Sequence, residues 1–294
     1  MVLSLSVKQS LFIYPGVYVE QVYIPARAAN LTIYGYTLDT SSYEGNTVNI
    51  TYNLALANTT SDDLTATYNI NILNTFGHIS KNGQNLALSA HTTNQGYYGV
   101  GLYGYQDTLL ANTGTQLYAR SLILGAIDFI FGQTAQAWLD SITILTIAKG
   151  CITASGRADA TNPSWYVINN STVSGVNASV EAMAGINYLG RPWESFARVT
   201  FQNTYLSDVI NPAGWSVWST TTPNTGNVTF EEFANYGPGS ATEEGPRANF
   251  SSQISEPRRI EEILGTGWEG NGGSIALTCR RNIHNGSKIL HQDR

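Results

Sequence analysis

Two acidic motifs stand one coil-sized interval apart. The first is Gly104-Tyr105-Gln106-Asp107-Thr108-Leu109, the second is Asp128-Phe129-Ile130-Phe131-Gly132, and their aspartates are separated by 21 residues. That interval is close to one coil of a β-solenoid, whose repeats run to roughly 20–25 residues. Gln84 and Gln106 are 22 apart, and Arg191 follows Asp128 by 63, the length of three coils of 21. On such a coil the two aspartates become neighbours on adjacent rungs, about 5 Å apart. Two carboxyls that close do not both ionise easily, so an acid/base pair arises from ordinary residues.

The rest of the chain agrees with a coil of short strands. β-rich runs recur at Leu11–Tyr14, Leu31–Tyr36, Val48–Tyr52, Tyr68–Leu73, Val100–Tyr105, Gln116–Leu124, Phe129–Phe131, Trp138–Ile147, Trp165–Ile168 and Ala197–Tyr205. Gly, Asn, Asp and Ser interrupt them, and no long helical period competes. Several runs are nearly continuously apolar, as parallel strands around a filled interior are. A β-sandwich is the alternative, but it would be large for a single domain of 294 residues. The spacings favour an all-β, single-stranded right-handed parallel β-helix of ten or so coils.

Composition narrows the function classes. Charged residues are 12% of the chain, about half of the roughly 25% usual in soluble domains. Net charge is −6, which argues against a nucleic-acid partner. No stretch approaches the ~18 uninterrupted apolar residues of a membrane span. Nine Asn-x-Ser/Thr sequons, at Asn30, Asn49, Asn58, Asn169, Asn170, Asn177, Asn227, Asn249 and Asn285, give modest support for a secreted glycoprotein. No signal peptide is readable at the start. Cys151 and Cys279 allow either a disulfide or two free thiols, and the four histidines show no metal-ligand spacing.

Six motifs in order carry a resemblance to the pectin methylesterases, the pectinesterase family, in its fungal branch. They are Gly16-Val-Tyr-Val-Glu20, Gln84-Asn-Leu-Ala-Leu88, Gly104 to Leu109, Asp128 to Gly132, Ile152-Thr-Ala-Ser-Gly-Arg157 and Leu189-Gly-Arg-Pro-Trp193, within roughly residues 11–267. The resemblance implies a pectin lyase-like solenoid that hydrolyses the C6 methyl esters of homogalacturonan to pectate and methanol. It implies secretion, action as a monomer on the polysaccharide, and no metal or organic cofactor. Residue by residue, Asp128 matches the nucleophile that forms an acyl-enzyme, and Asp107 the general acid and then base. Arg191 matches the group that holds the nucleophile, and Gln84 and Gln106 the oxyanion donors. Trp193 matches a sugar platform and Phe131 a wall of the cleft. An Arg beside the nucleophile is expected to lower that carboxyl's pKa and so to raise its neighbour's.

Each assignment has a blander rival. Asp107 would serve as a turn residue, Asp128 as an exposed corner acid, Arg191 as a surface cation stacked on Trp193, and Gln84 as a rung of an amide ladder. Trp215 and Trp218 stay open between flanking the cleft and packing under a loop. Arg157, Gly16, Tyr18 and Glu20 read as structural, and Tyr97 and Tyr98 as packing or rim residues. A pectate lyase would need a basic proton abstractor and Ca²⁺ ligands, and no clustered Asp/Glu set of that kind is readable. A non-catalytic carbohydrate-binding protein would have no use for the aspartate pair. Two departures from the resemblance stand out. The chain starts almost at the first strand, so the N-terminal cap of the coil is expected to be missing from a domain spanning residues 1–267. Residues 268–294 form an atypical basic tail, expected to be poorly ordered.

Overall fold

The computed structural model describes residues 6–24, 29–53, 67–176, 183–241 and 246–268. Its strands build three sheets, of ten, eight and five strands, and every pairing between strands is parallel. The chain visits the sheets in rotation. It runs through Gln95–Tyr98 in the ten-stranded sheet, Gly101–Tyr103 in the eight-stranded and Leu109–Ala111 in the five-stranded. Thr113–Ala119 then returns it to the first sheet, one rung on. The fold is a right-handed parallel β-helix, with one short helix, Ile260–Leu264, among the described residues.

Four runs expected as single strands are each two. Tyr68–Leu73, Gln116–Leu124, Trp138–Ile147 and Ala197–Tyr205 break at Asn69, Arg120, Ser141 and Asn203, whose φ values are 51–55°. Gly99 and Asn170 hold the same corner on their own coils, with φ of 61° and 47°. One left-handed residue turns the chain from the ten-stranded into the eight-stranded sheet. For a non-glycine residue that conformation costs roughly 1–2 kcal/mol. It is offset because each corner N–H still reaches a carbonyl on the next rung, as Arg120 does to Asp140 at 3.1 Å and Asn170 to Gln202 at 3.0 Å. The apolar pattern runs straight through these corners, so it does not mark them.

Coil length varies more than the spacings suggest. Leu109 pairs with Ile130, Phe131 with Ala154 and Ala154 with Arg191. The 63 residues from Asp128 to Arg191 therefore make two coils, not three, because longer connections precede Trp165 and Asn187. The 22-residue step from Gln84 to Gln106 is one coil of 21 plus a bulged residue, since Leu88 pairs with Leu109.

Apolar columns fill the interior. Ile123, Ile144 and Val173 stack on successive rungs, each fully buried. Tyr97 lies inside, its ring 4.8 Å from that of Tyr118 and nearly parallel to it. Tyr98 points the other way, stacked on Tyr68 at 4.6 Å in an outer cluster with Leu117, Trp138 and Val167. The helix covers this cluster through Ile263, and Gln136 Nε2 donates to the Ile263 carbonyl at 2.8 Å. Trp268 is buried in the same cluster, so the packed unit reaches one residue past the expected boundary, and residues 269–294 lie outside the described residues. At the other end Phe12, Val17 and Val19 are exposed.

Two ion pairs, one buried and one half-buried, close the last coils. Glu232 and Arg247 meet at 2.8 Å, and Glu231 pairs with Arg258. Trp215 Nε1 donates to Glu232 at 3.2 Å, and its ring stacks on Phe230 at 4.2 Å. Trp215 is therefore a core residue. Of the sequons, Asn30, Asn170, Asn227 and Asn249 are exposed, whereas Asn169 donates to Asp140 at 2.7 Å. Asn58, Asn177 and Asn285 lie outside the described residues. No helix among the described residues is long and apolar enough to cross a membrane.

Candidate active site

Asp107 and Asp128 occupy equivalent corners on adjacent coils, where the eight-stranded sheet passes into the five-stranded one. Both are left-handed, with φ of 61° and 51°. The bridges Gln106–Ile127 and Leu109–Ile130 set the two aspartates opposite each other. Asp107 N donates to Ile127 O at 3.0 Å, and Asp128 N to Cys151 O at 2.7 Å. The backbone thus fixes the pair before either side chain makes a contact. The sequence spacing anticipated the adjacency but not the strained conformation, which Asp tolerates better than most residues.

Arg191 reaches this corner from two rungs away. Its Nε donates to Asp128 Oδ1 at 2.9 Å and its Nη2 to Asp128 Oδ2 at 2.6 Å, a two-pronged pair. The third nitrogen, Nη1, donates to the Trp218 carbonyl at 3.3 Å. The guanidinium carbon lies 4.3 Å from the centre of the Trp218 ring. The stacking partner is thus Trp218 and not Trp193. Nothing in Gly214-Trp-Ser-Val-Trp218 separates the core Trp215 from the site-facing Trp218, since only the tertiary packing tells them apart.

The surroundings divide the two acids. Burial raises the Asp128 carboxyl above its ordinary range, while the hydrogen bonds and charge of Arg191 pull it down. Arg191 lowers it as expected, but the net direction is upward, because Asp128 is only 5% exposed and desolvation outweighs the guanidinium. Asp107 has no such partner among the described residues. Burial and the Asp128 charge, weakly opposed by Arg191, push it from 3.8 up to about 8. The guanidinium thus favours the anion on Asp128, and burial together with that charge favours the proton on Asp107. Cys151 lies one rung beyond Asp128. Its buried thiol has no disulfide partner among the described residues, and burial together with the Asp128 charge pushes it up to about 12. Cys279 lies outside the described residues.

Holding an uncharged carboxyl has a consequence for stability. Below pH 3.8 both folded and unfolded chains keep the Asp107 proton; between there and about 8 only the folded chain does. Ionisation then favours the unfolded chain by roughly 1.4 kcal/mol per pH unit until the folded group titrates. Asp107→Asn is expected to melt higher than the parent at pH 7, by on the order of a few kcal/mol, and equally at pH 3.5. Thermal melts across pH check this, and a difference independent of pH overturns it.

The remaining expected residues gather around the pair. Gln84 and Gln106 pair as a parallel bridge on adjacent rungs, immediately before the corner. The buried Gln84 Oε1 has no hydrogen-bond partner among the described residues. Phe131 and Trp193 stand with ring centres 6.3 Å apart and tilted by 51°. Trp193 lies against Gly156, where a Cβ would come within 2.6 Å of the indole. Arg157 is structural: it donates to the carbonyls of Asn162, Phe196 and Ala160 at 2.7, 3.0 and 2.7 Å, bracing the loop that follows Trp193.

The comparisons with known proteins point one way. The pectinesterase family model matches residues 4–259. A pectinesterase of Aspergillus niger is 50% identical over 274 residues, covering 89% of this chain and 81% of that protein. One from Aspergillus aculeatus is 48% identical over 272 residues, covering 88% and 80%. The crystal structure of an Aspergillus niger pectin methylesterase matches with a TM-score of 0.82 at 35% identity, over 90% of this chain and 87% of that one. The carrot pectin methylesterase shares the fold, with a TM-score of 0.78 at 24% identity. With an aspartate pair at its corner, a guanidinium on one member and this likeness along nearly all of its coils, the chain belongs to the pectinesterase family of carboxylic ester hydrolases.

Proposed function

We propose that this chain hydrolyses pectin methyl esters through an aspartyl acyl-enzyme, with Asp128 as nucleophile and Asp107 as the proton-transfer group. One observation carries the division of roles: of the two aspartates, Arg191 hydrogen-bonds Asp128. The Asp128 carboxylate attacks the ester carbonyl carbon, and the carbonyl oxygen becomes an oxyanion facing the amides of Gln84 and Gln106. A donor of that kind contributes ~2.7–4 kcal/mol in comparable sites. Collapse breaks the bond to the methoxy oxygen, which takes the Asp107 proton and leaves as methanol. Asp107, now a carboxylate, removes a proton from water as the water attacks the acyl carbon. The anhydride bond breaks, Asp128 returns as a carboxylate and Asp107 is protonated again. Trp193 and Phe131 offer the sugar an aromatic face and an apolar wall.

The substrate chain is neutral where esterified and anionic once cleaved, and a protein of net charge −6 disfavours the anionic product. Action as a monomer on the polymer outside the cell is what the likeness to the fungal pectinesterases suggests. Purified protein is expected to release methanol from methyl-esterified homogalacturonan at the same rate with and without chelator. Unsaturated sugar ends without methanol would instead mean a lyase. The pH dependence follows from the proton on Asp107. Activity is expected to fall on the alkaline side with a midpoint near 8, as that carboxyl ionises and can no longer protonate methanol. A kcat/KM profile flat through pH 9 overturns the acid role of Asp107.

A further inference from the structure

We infer that Asn85 is a positioning residue for the reaction, a neutral acceptor that holds the Gln106–Asp107 corner in its working shape; this rests on the roles assigned above to Asp107 and Asp128. Between the Gln84–Gln106 bridge and the Leu88–Leu109 pair, three residues stand against two: Asn85, Leu86 and Ala87 face Asp107 and Thr108. The mismatch is a β-bulge, and both Ala87 N and Leu88 N donate to Thr108 O, at 2.9 and 3.1 Å. The extra residue brings the Asn85 side chain onto the peptide links ahead of Asp107. Its Oδ1 accepts from Gln106 N at 2.8 Å and from Tyr105 N at 3.3 Å. Its own N–H donates to Gln106 O at 2.9 Å, so Asn85 grips the Gln106 residue from both sides.

Asn85 is 1% exposed, and its Nδ2 has no hydrogen-bond partner among the described residues. The structure uses only the oxygen. An aspartate would supply that oxygen equally well, but as a third carboxylate beside a pair that already resists ionisation. A neutral amide gives the acceptor without the charge. The held residues are the oxyanion donor Gln106 and the left-handed Asp107. A misplacement of about 1 Å in such groups costs on the order of 10²-fold in rate.

The test compares Asn85→Ala, Asn85→Asp and Asp128→Asn with the parent, with activity normalised to folded protein. Asn85→Ala is expected to lose roughly 10–100-fold in kcat with KM within about twofold. Asn85→Asp keeps the acceptor and adds charge; it is expected to recover much of that kcat and to move the alkaline limb to higher pH, because the added anion holds the Asp107 proton more tightly. Parental kcat in Asn85→Ala, or a raised KM with unchanged kcat, overturns the inference. Where Asn85→Ala does not fold, Asn85→Asp decides alone, and an unmoved alkaline limb overturns it. Activity surviving in Asp128→Asn would mean that the reading of the site has failed, a result distinct from either.

Discussion

Replacing Asp128 with Asn is expected to lower kcat on pectin by on the order of 10⁴-fold or more while leaving the fold and polysaccharide binding intact. The size follows from the chemistry. An amide oxygen does not form the covalent intermediate, and removing the nucleophile from comparable hydrolases removes nearly all of the covalent contribution. Shape is almost unchanged, because the Asn oxygen can still accept from Arg191 and the corner is fixed by backbone bonds such as Asp128 N to Cys151 O at 2.7 Å. Asp107→Asn is expected to lose less, roughly 10²–10⁴-fold, the span typical of a general acid–base group. Methanol release, paired with binding to an esterified oligosaccharide, separates the two outcomes. Activity near the parental level in Asp128→Asn would falsify the nucleophile assignment.

Arg191→Met is expected to lower kcat at neutral pH by about 10²–10³-fold and to move the acid limb of the pH profile upward. The guanidinium is the one feature among the described residues that opposes burial at Asp128. Without it desolvation acts alone, the Asp128 carboxyl holds its proton to higher pH, and the ionised fraction at neutrality falls. Breaking a buried pair by removing one partner destabilises by ~3–5 kcal/mol. The side chain of Arg191 is 28% exposed here, and Asp128 can take up a proton instead of standing unpaired, so a smaller loss is expected. Arg191→Lys keeps the charge but not the two-pronged geometry or the stack on Trp218, and is expected to fall between parent and Met. An acid limb unmoved in Arg191→Met would show that Arg191 does not tune the nucleophile.

Much of this site was legible in the chain. The interval of 21 between Asp107 and Asp128 is one coil, and pairing places them on adjacent rungs. The interval of 63 to Arg191 pointed to the right residue through the wrong geometry, because two longer connections stretch two coils to that length. Gln84 and Gln106 read correctly as neighbours, but their interval of 22 concealed a bulge and with it the place of Asn85. The strands of the five-stranded sheet that carries the site were the hardest to see. Leu88–Ala90 and Leu109–Ala111 are three residues each, too short for a period-2 pattern to register, whereas Ile130–Gly132 lies within one residue of the expected Phe129–Phe131.

The sequence by itself determined the apolar filling and the one-coil interval between Asp107 and Asp128, since these are properties of residue type and of distance along the chain. Only the tertiary structure decided how far burial raises each acid, which of two tryptophans covers Arg191, and how the corner before Asp107 is held. Those depend on desolvation and on hydrogen bonds between residues that are neighbours in space, and side chains from different coils meet only after the coils have stacked.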